Sequence, residues 1–297
     1  MRLVTRGDLD GLTCAVIITS REEIDDILLV HPQDVTERRA DIRPGDVVAN
    51  LPYHENAGLW FDHHMHTATP VAPPPDYQGM FGQSPSAARL VYEYYGGDLK
   101  LAQFDELVLE TDRLDSADLT PQDVLDPQGY IKLGFTIDSR TGLGSFEDYF
   151  RDLVDLLRIG TPIEEVLQDP EVARRCELME REDERFREAL RVYSRVDGNV
   201  VITDFRGVEP TPVGNRFLVY ALFPEPNVSV RLHWGPHREF PMMLLGHSIF
   251  HRTCQTNVGE LAARYGGGGH RGAGSVPLMD NPEQQIQLIV AELKANG

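Results

Sequence analysis

Two short groups hold the side chains best suited to chemistry: Asp8-Leu9-Asp10 near the N-terminus, and Phe61-Asp62-His63-His64 further along. Together they offer hard carboxylate oxygens and imidazole nitrogens. That mixture suits Mn²⁺ or a similar divalent ion, and imidazole also transfers protons near neutral pH. Each group follows a short apolar run, Leu3 to Thr5 and Ala57 to Phe61. Both are therefore expected at the ends of buried strands, where open parallel sheets place their ligands.

The elements that must carry these groups follow from periodicity. Strands are expected at Leu3–Thr5, Ile27–Val30, Asp46–Ala49 and Ala57–Phe61, alternating with connecting segments such as a helix from about Gly11 to Arg21. This predicts a largely parallel α/β sheet with helices. A Pro-rich loop runs from Pro70 to Pro75 and on through Gly79. Ser84-Pro85 signals a helix start, a second helix spans about Leu101 to Ser116, and Ser145 and Thr161-Pro162 open further helices. From Asp169-Pro170 to about Val196 the chain is charged, with Val172, Cys176, Met179, Phe186 and Leu190 forming one apolar stripe, the pattern of a linker helix. After Asn199 the texture turns to strands at Val200–Thr203, Phe217–Leu222, Val228–Trp234 and Phe240–Leu245. Helices are expected near Val258–Tyr265 and Pro282–Ala295. The expected organisation is a metal-binding domain over 1–165, a helical linker over 166–196, and a smaller α+β substrate-binding domain over 197–297.

Composition narrows the partners. The net charge is -19, but residues 1–196 carry 20 Lys+Arg against 38 Asp+Glu whereas 197–297 carry 8 against 9. An acidic first part fits a cation-binding half, and the overall charge opposes a long duplex nucleic acid, which needs a basic surface to release counterions. No apolar run is long enough to span a membrane, and the N-terminus leads directly into a strand, so a cytoplasmic protein is expected. Three separated cysteines imply neither a disulfide framework nor a zinc knuckle.

The Asp-x-Asp-Gly, the Asp-His-His and, far downstream, Arg264-Tyr265-Gly266-Gly267-Gly268-Gly269-His270 with Gly272-Ala273-Gly274 resemble, in order and over almost the whole chain, the DHH phosphoesterase superfamily with its associated C-terminal domain. The resemblance implies hydrolysis of phosphoesters in short oligonucleotides or small phosphorylated nucleotides with Mn²⁺, or with Mg²⁺ or another divalent ion. It assigns Asp8, Asp10, Asp62, His63 and Asp112 to metal and His64 to phosphate contact or protonation. Gly267, Gly268, Gly269 and His270 are assigned to substrate, with Arg231 and Arg252 as further phosphate-binding candidates. Two choices stay open in the sequence: Asp10 also reads as a cap for a helix beginning at Gly11, and Glu110, Asp115 and Asp118 compete with Asp112. His66 is left without a role.

Two positions depart from the family pattern. Arg6 stands where its first motif has histidine, and Asn50 where its second has aspartate. Arginine does not ligate a cation and neutral asparagine bridges two ions poorly. One firmly bound ion is therefore expected, with Arg6 as a fixed positive group. The rival readings are an exopolyphosphatase-like hydrolase, and a nucleotide-binding protein that has lost turnover through Arg6 and Asn50.

Overall fold

The computed structural model describes residues 1–64, 72–137, 147–235 and 238–297. His66, Ser145 and the first part of the Pro-rich loop lie outside the described residues. The chain forms two compact units: Met1–Asp118 with Pro127–Met179, and Leu119–Asp126 with Glu180–Gly297. The division falls within one long helix, Pro170–Tyr193. Its apolar stripe, Val172 through Leu190, is buried throughout. Among the described residues no helix is long and apolar enough to cross a membrane.

The first unit is built on a parallel five-stranded sheet: β1 (Arg2–Thr5), β2 (Asp26–Leu29), β3 (Asp46–Ala49), β4 (Ala57–Asp62) and β5 (Gly79–Phe81), in the order β2-β1-β3-β4-β5. Alternation sends Leu3, Val47 and Phe61 to one face, against Leu12, Ala15, Val16 and the other helices. Val4, Val48 and Trp60 face the other side, with Val35, Ile42 and Leu51. Burying Phe61 completely is worth about 1.5–3 kcal/mol. β5 is a correction at Gly79, where the sequence reading ends its loop, and an addition at Met80 and Phe81; a three-residue edge strand opening with glycine carries too little periodicity to be seen. All strands being parallel, their C-terminal ends fall on one edge, with Thr5 beside Ala49, Ala49 beside Phe61 and Asp62 beside Phe81.

The second unit carries a mixed sheet, β6 (Ser194–Asp197), β7 (Val200–Asp204), β8 (Val228–Trp234), β9 (Pro241–His247), β10 (Gly268–His270) and β11 (Ala273–Pro277), ordered β10-β11-β9-β8-β7-β6. Val200, Val230, Leu245 and Val276 pack there with Val258, Leu261 and Ile289 from the helices Val258–Ala263 and Pro282–Ala295. Three local readings need correction. Leu218–Leu222 is a short helix, not a strand: four successive residues, Phe217 to Tyr220, are buried, and such a run has no period to decide its state. The glycine-rich segment, a loop by its composition, is partly a strand, β10, paired antiparallel with β11. The helix expected to run to about Val196 stops at Tyr193, and Ser194–Asp197 pairs with β7.

Candidate active site

The edge where the parallel strands end collects most of the N-terminal candidates. β1 leads into Arg6 and Asp8, β3 into Asn50, β4 into Asp62, His63 and His64, and β5 into Ser84 and Ser86. β1 feeds β2 on one side and lies beside β3 on the other, so the strand order reverses between Asp8 and Asn50, where such sheets leave a crevice.

The helix Leu9–Thr19 is capped by Asp8, whose carboxylate accepts the Gly11 amide at 2.9 Å. This settles the capping alternative: Asp8 caps, and Asp10 sits in the first turn. Gly11 is required there, since a Cβ would come within 1.9 Å of the Arg6 carbonyl. Asp10 is buried and accepts the Ala87 amide at 3.0 Å and the Ala88 amide at 2.7 Å, both from the first turn of the helix Ala87–Tyr94. One turn beyond Asp10, the buried Cys14 Sγ lies 3.9 Å from its Oδ1.

His63 is the pivot. Its Nδ1 lies 2.9 Å from the Ser84 carbonyl oxygen, which only accepts, so Nδ1 carries the proton and donates. The lone pair of the neutral ring is then on Nε2, which lies 3.2 Å from Asp115 Oδ2 and 3.7 Å from Asp10 Oδ2. This buried nitrogen has no partner with hydrogen-bond geometry. Ligand atoms of Asp10, His63 and Asp115 all lie within 4.8 Å of one another. A nitrogen lone pair facing two carboxylates is repulsive unless a proton or cation lies among them. Burial disfavours a charged His63, yet Asp115, Asp10 and the Ser84 carbonyl outweigh it and push the imidazole up to about 9. Burial and the Asp115 charge hold Asp10 well above the usual carboxylate range. The trio therefore fits a divalent ion, with the second ring nitrogen of its histidine already anchored.

The other N-terminal candidates lie outside that trio. Asp62, fully buried, turns Oδ1 to the amides of His63 at 2.9 Å and His64 at 3.3 Å, and to His64 Nδ1 at 2.8 Å. Asp112 receives Ser86 Oγ at 2.6 Å, and Arg89 donates to its other oxygen from Nε at 2.9 Å and Nη2 at 2.6 Å. Ser86 caps the helix Ala87–Tyr94 by accepting the Arg89 amide at 3.0 Å. The helix start read at Ser84 thus belongs two residues later, while Ser84 gives its carbonyl to His63. Asp112 and Asp115 share the helix Asp105–Asp115, and Thr111 on it meets Thr13 through buried hydroxyls at 2.7 Å. Arg6 Nε pairs with Asp8 Oδ2 at 2.9 Å, and Asn50 Nδ2 donates to Asp8 Oδ1 at 2.9 Å. Asn50 holds a left-handed conformation (φ 55), and its buried Oδ1 has no hydrogen-bond partner among the described residues.

In the second unit, Gly268–His270 forms the exposed edge strand of the sheet. Gly269 has φ 153, and a Cβ there would meet the Ala273 carbonyl at 2.2 Å. His270 Nδ1 accepts the Gly272 amide at 3.2 Å. Arg231 is on β8, with β9 and β11 intervening before β10, and its guanidinium lies 5.9 Å from the Phe186 ring centroid. Arg252 donates from Nε to the Ile249 carbonyl at 2.8 Å. The sheet therefore does not gather Arg231 with the glycine strand.

Sequence reasoning passed over Ser86, Arg89 and the Ala87 and Ala88 amides. A serine three residues before Arg89 was the available signal, because an N-cap makes the following amides an anion cradle.

No protein-family model matches the chain, and no curated protein does. Among solved structures it is similar to a pGpG-specific phosphodiesterase, PggH, from Vibrio cholerae. The identity is 38%, over 100% of this chain and 99% of that one, with TM-score 0.85. An exopolyphosphatase-related protein from Bacteroides fragilis matches at 14% identity and TM-score 0.53, over 99% of this chain and 92% of that one. RecJ from Thermus thermophilus, solved with Mn²⁺, matches at 15% identity and TM-score 0.54, over 99% of this chain and 51% of RecJ. These last two likenesses concern the fold.

Proposed function

From the premise that the chain belongs to the DHH phosphoesterase superfamily, whose hydrolases depend on divalent metal, we propose that it cleaves the phosphodiester bond of short linear oligonucleotides of the pGpG type. The observation that carries the reading is the buried His63 Nε2, facing the carboxylates of Asp10 and Asp115 with no hydrogen bond of its own. Those three residues would hold the ion. Mn²⁺ is the proposed occupant, because hard oxygens with one imidazole suit it and soft ligands are absent from the trio. When bound, such an ion lowers the pKa of water and offsets charge on phosphoryl oxygens.

The chain's own residues do the rest. Asp62 accepts from His64 Nδ1, which fixes the ring and leaves Nε2 as its proton-transfer atom. His64 would protonate the departing oxygen or contact the phosphate. Arg6, with its side chain 32% exposed, supplies a guanidinium for phosphoryl oxygen. In the second unit the Gly267–His270 segment, with its exposed edge amides and the His270 ring, is proposed to bind substrate, and Arg252 stays a candidate for phosphate.

The test is hydrolysis of a panel with added Mn²⁺: pGpG, pApA, bis-phosphorylated adenosine, cyclic dinucleotides and polyphosphate. Water adds to phosphorus and the bridging ester bond breaks, so pGpG should give two molecules of GMP. Preference for polyphosphate would replace this reading with the exopolyphosphatase-like one. Inertness towards the whole panel, with Mn²⁺ demonstrably bound, would leave a nucleotide-binding protein.

A further inference from the structure

We infer that this site is built for a single divalent ion, with Arg6 as a permanent internal cation that balances Asp8; the inference rests on the metal-dependent phosphoesterase reading. Four carboxylates with charge to offset converge at this edge, Asp8, Asp10, Asp62 and Asp115, but they are served differently. Asp10 and Asp115 face the Nε2 of His63, which no hydrogen bond satisfies. The Asp8 carboxylate instead is met by protein donors on both oxygens: Oδ1 by the Gly11 amide and Asn50 Nδ2, Oδ2 by Arg6 Nε, each at 2.9 Å.

Those donors argue against a second ion beside Asp8. A metal replacing them would have to displace a guanidinium and an amide, leaving Arg6 cationic beside it. Among the described residues, Asp10, His63 and Asp115 are the one group whose ligand atoms converge. Charge points the same way: two divalent ions repel with four times the energy of two unit charges at equal separation, an ion and a guanidinium with twice. Asn50 completes the arrangement. Its amide donates to Asp8, whereas a carboxylate at position 50 would place oxygen against oxygen at about the same 2.9 Å, a contact that only a cation or proton reconciles. Arg6 and Asn50 are thus matched to each other through Asp8, and together they substitute fixed protein charge for a second ion.

The experiment reads metal content with no substrate present, so it is independent of whether pGpG is hydrolysed. Mn²⁺ is added to the full-length protein, excess is removed, and stoichiometry is measured by elemental analysis and calorimetry, with electron paramagnetic resonance to separate isolated from spin-coupled ions. The unmodified protein should hold one ion with an isolated six-line spectrum. The double change Arg6→His and Asn50→Asp should raise this to two, with a spin-coupled spectrum, while circular dichroism stays unchanged. Two tightly bound ions in the unmodified protein would overturn the inference, as would a folded double variant that still binds only one. Should the double variant not fold, Asn50→Asp alone gives the second reading: a second ion of weaker, measurable affinity is expected, and no gain over the unmodified protein would refute it.

Discussion

Replacing Asp112 and Asp115 separately by asparagine should split stability from metal binding, although the two lie three residues apart on one helix. Asp112 loses its charge beside Arg89, which donates twice to one of its oxygens, and weakens the Ser86 hydroxyl contact. Breaking a fully buried pair costs roughly 3–5 kcal/mol. Here Arg89 keeps 26% of its side chain exposed and Asp112 12%, so Asp112→Asn should cost about 2–3 kcal/mol. Its effect on metal passes through the helix amides that hold Asp10 and through the helix it shares with Asp115, and should be on the order of tenfold. Asp115→Asn instead removes both a carboxylate that repels Asp10 and one that pairs with protonated His63, effects of opposite sign, so the metal-free protein should change by less than Asp112→Asn does, on the order of 1 kcal/mol. Its Mn²⁺ affinity should fall about 100-fold or more, as for loss of a direct ligand. Urea unfolding with and without Mn²⁺ at one hundred times the original Kd reads both quantities. Binding adds about 2.7 kcal/mol to the unmodified protein, and with a 100-fold weaker Kd it adds only about 0.4 kcal/mol. The reasoning fails if Asp115→Asn keeps the full stabilisation by Mn²⁺ while Asp112→Asn loses it.

Metal affinity should depend on pH through the trio. His63 rises to about 9 from an ordinary 6.5 in the metal-free fold, so its protonated form stabilises that fold fully below about 6.5, and the contribution is lost as pH rises through about 9. An ion must displace that proton, so Mn²⁺ affinity should climb about tenfold per pH unit between roughly 6.5 and 9, with about one proton released in calorimetry across buffers. A flat profile would remove His63 Nε2 from the ligand set. His270→Ala should raise the KM for pGpG while leaving Mn²⁺ affinity unchanged, measured by steady-state kinetics and titration; an equal loss of metal affinity would contradict a substrate role. Gly11→Ala should destabilise the protein by about 3 kcal/mol through the clash with the Arg6 carbonyl, read as a lowered urea midpoint. An unchanged midpoint would show that the Asp8 turn has room that its backbone does not display.

The legible part of the fold was the part with strong period or strong chemistry. Parallel strands ending at Asp8 and Asp62 follow from apolar runs before charged turns, and their convergence follows from the sheet. The choice between Asp112 and Asp115 did not follow, because residues three apart on a helix share a face and only the tertiary partners separate them. Ser86 and Arg89, 23 to 26 residues before Asp112, meet its carboxylate, and that is the ground on which Asp115 is proposed in its place. Glycine hid β10 for a different reason: a strand of Gly268, Gly269 and His270 has almost no side-chain alternation to read, and its register is set by β11. In the same way Phe217–Leu222 has strand-forming residues but a largely helical backbone, imposed by burial around it.

Cys14 gives the site a property unrelated to phosphate chemistry. Its thiol is buried beside Asp10, and burial together with the charges of Asp10, Asp8, Asp62 and Asp115 holds it well above its ordinary ionisation range. Peroxides and alkylating agents attack the thiolate, which this surrounding suppresses. The negative field that would attract a cation therefore also keeps the nearest sulfur in its inert thiol form.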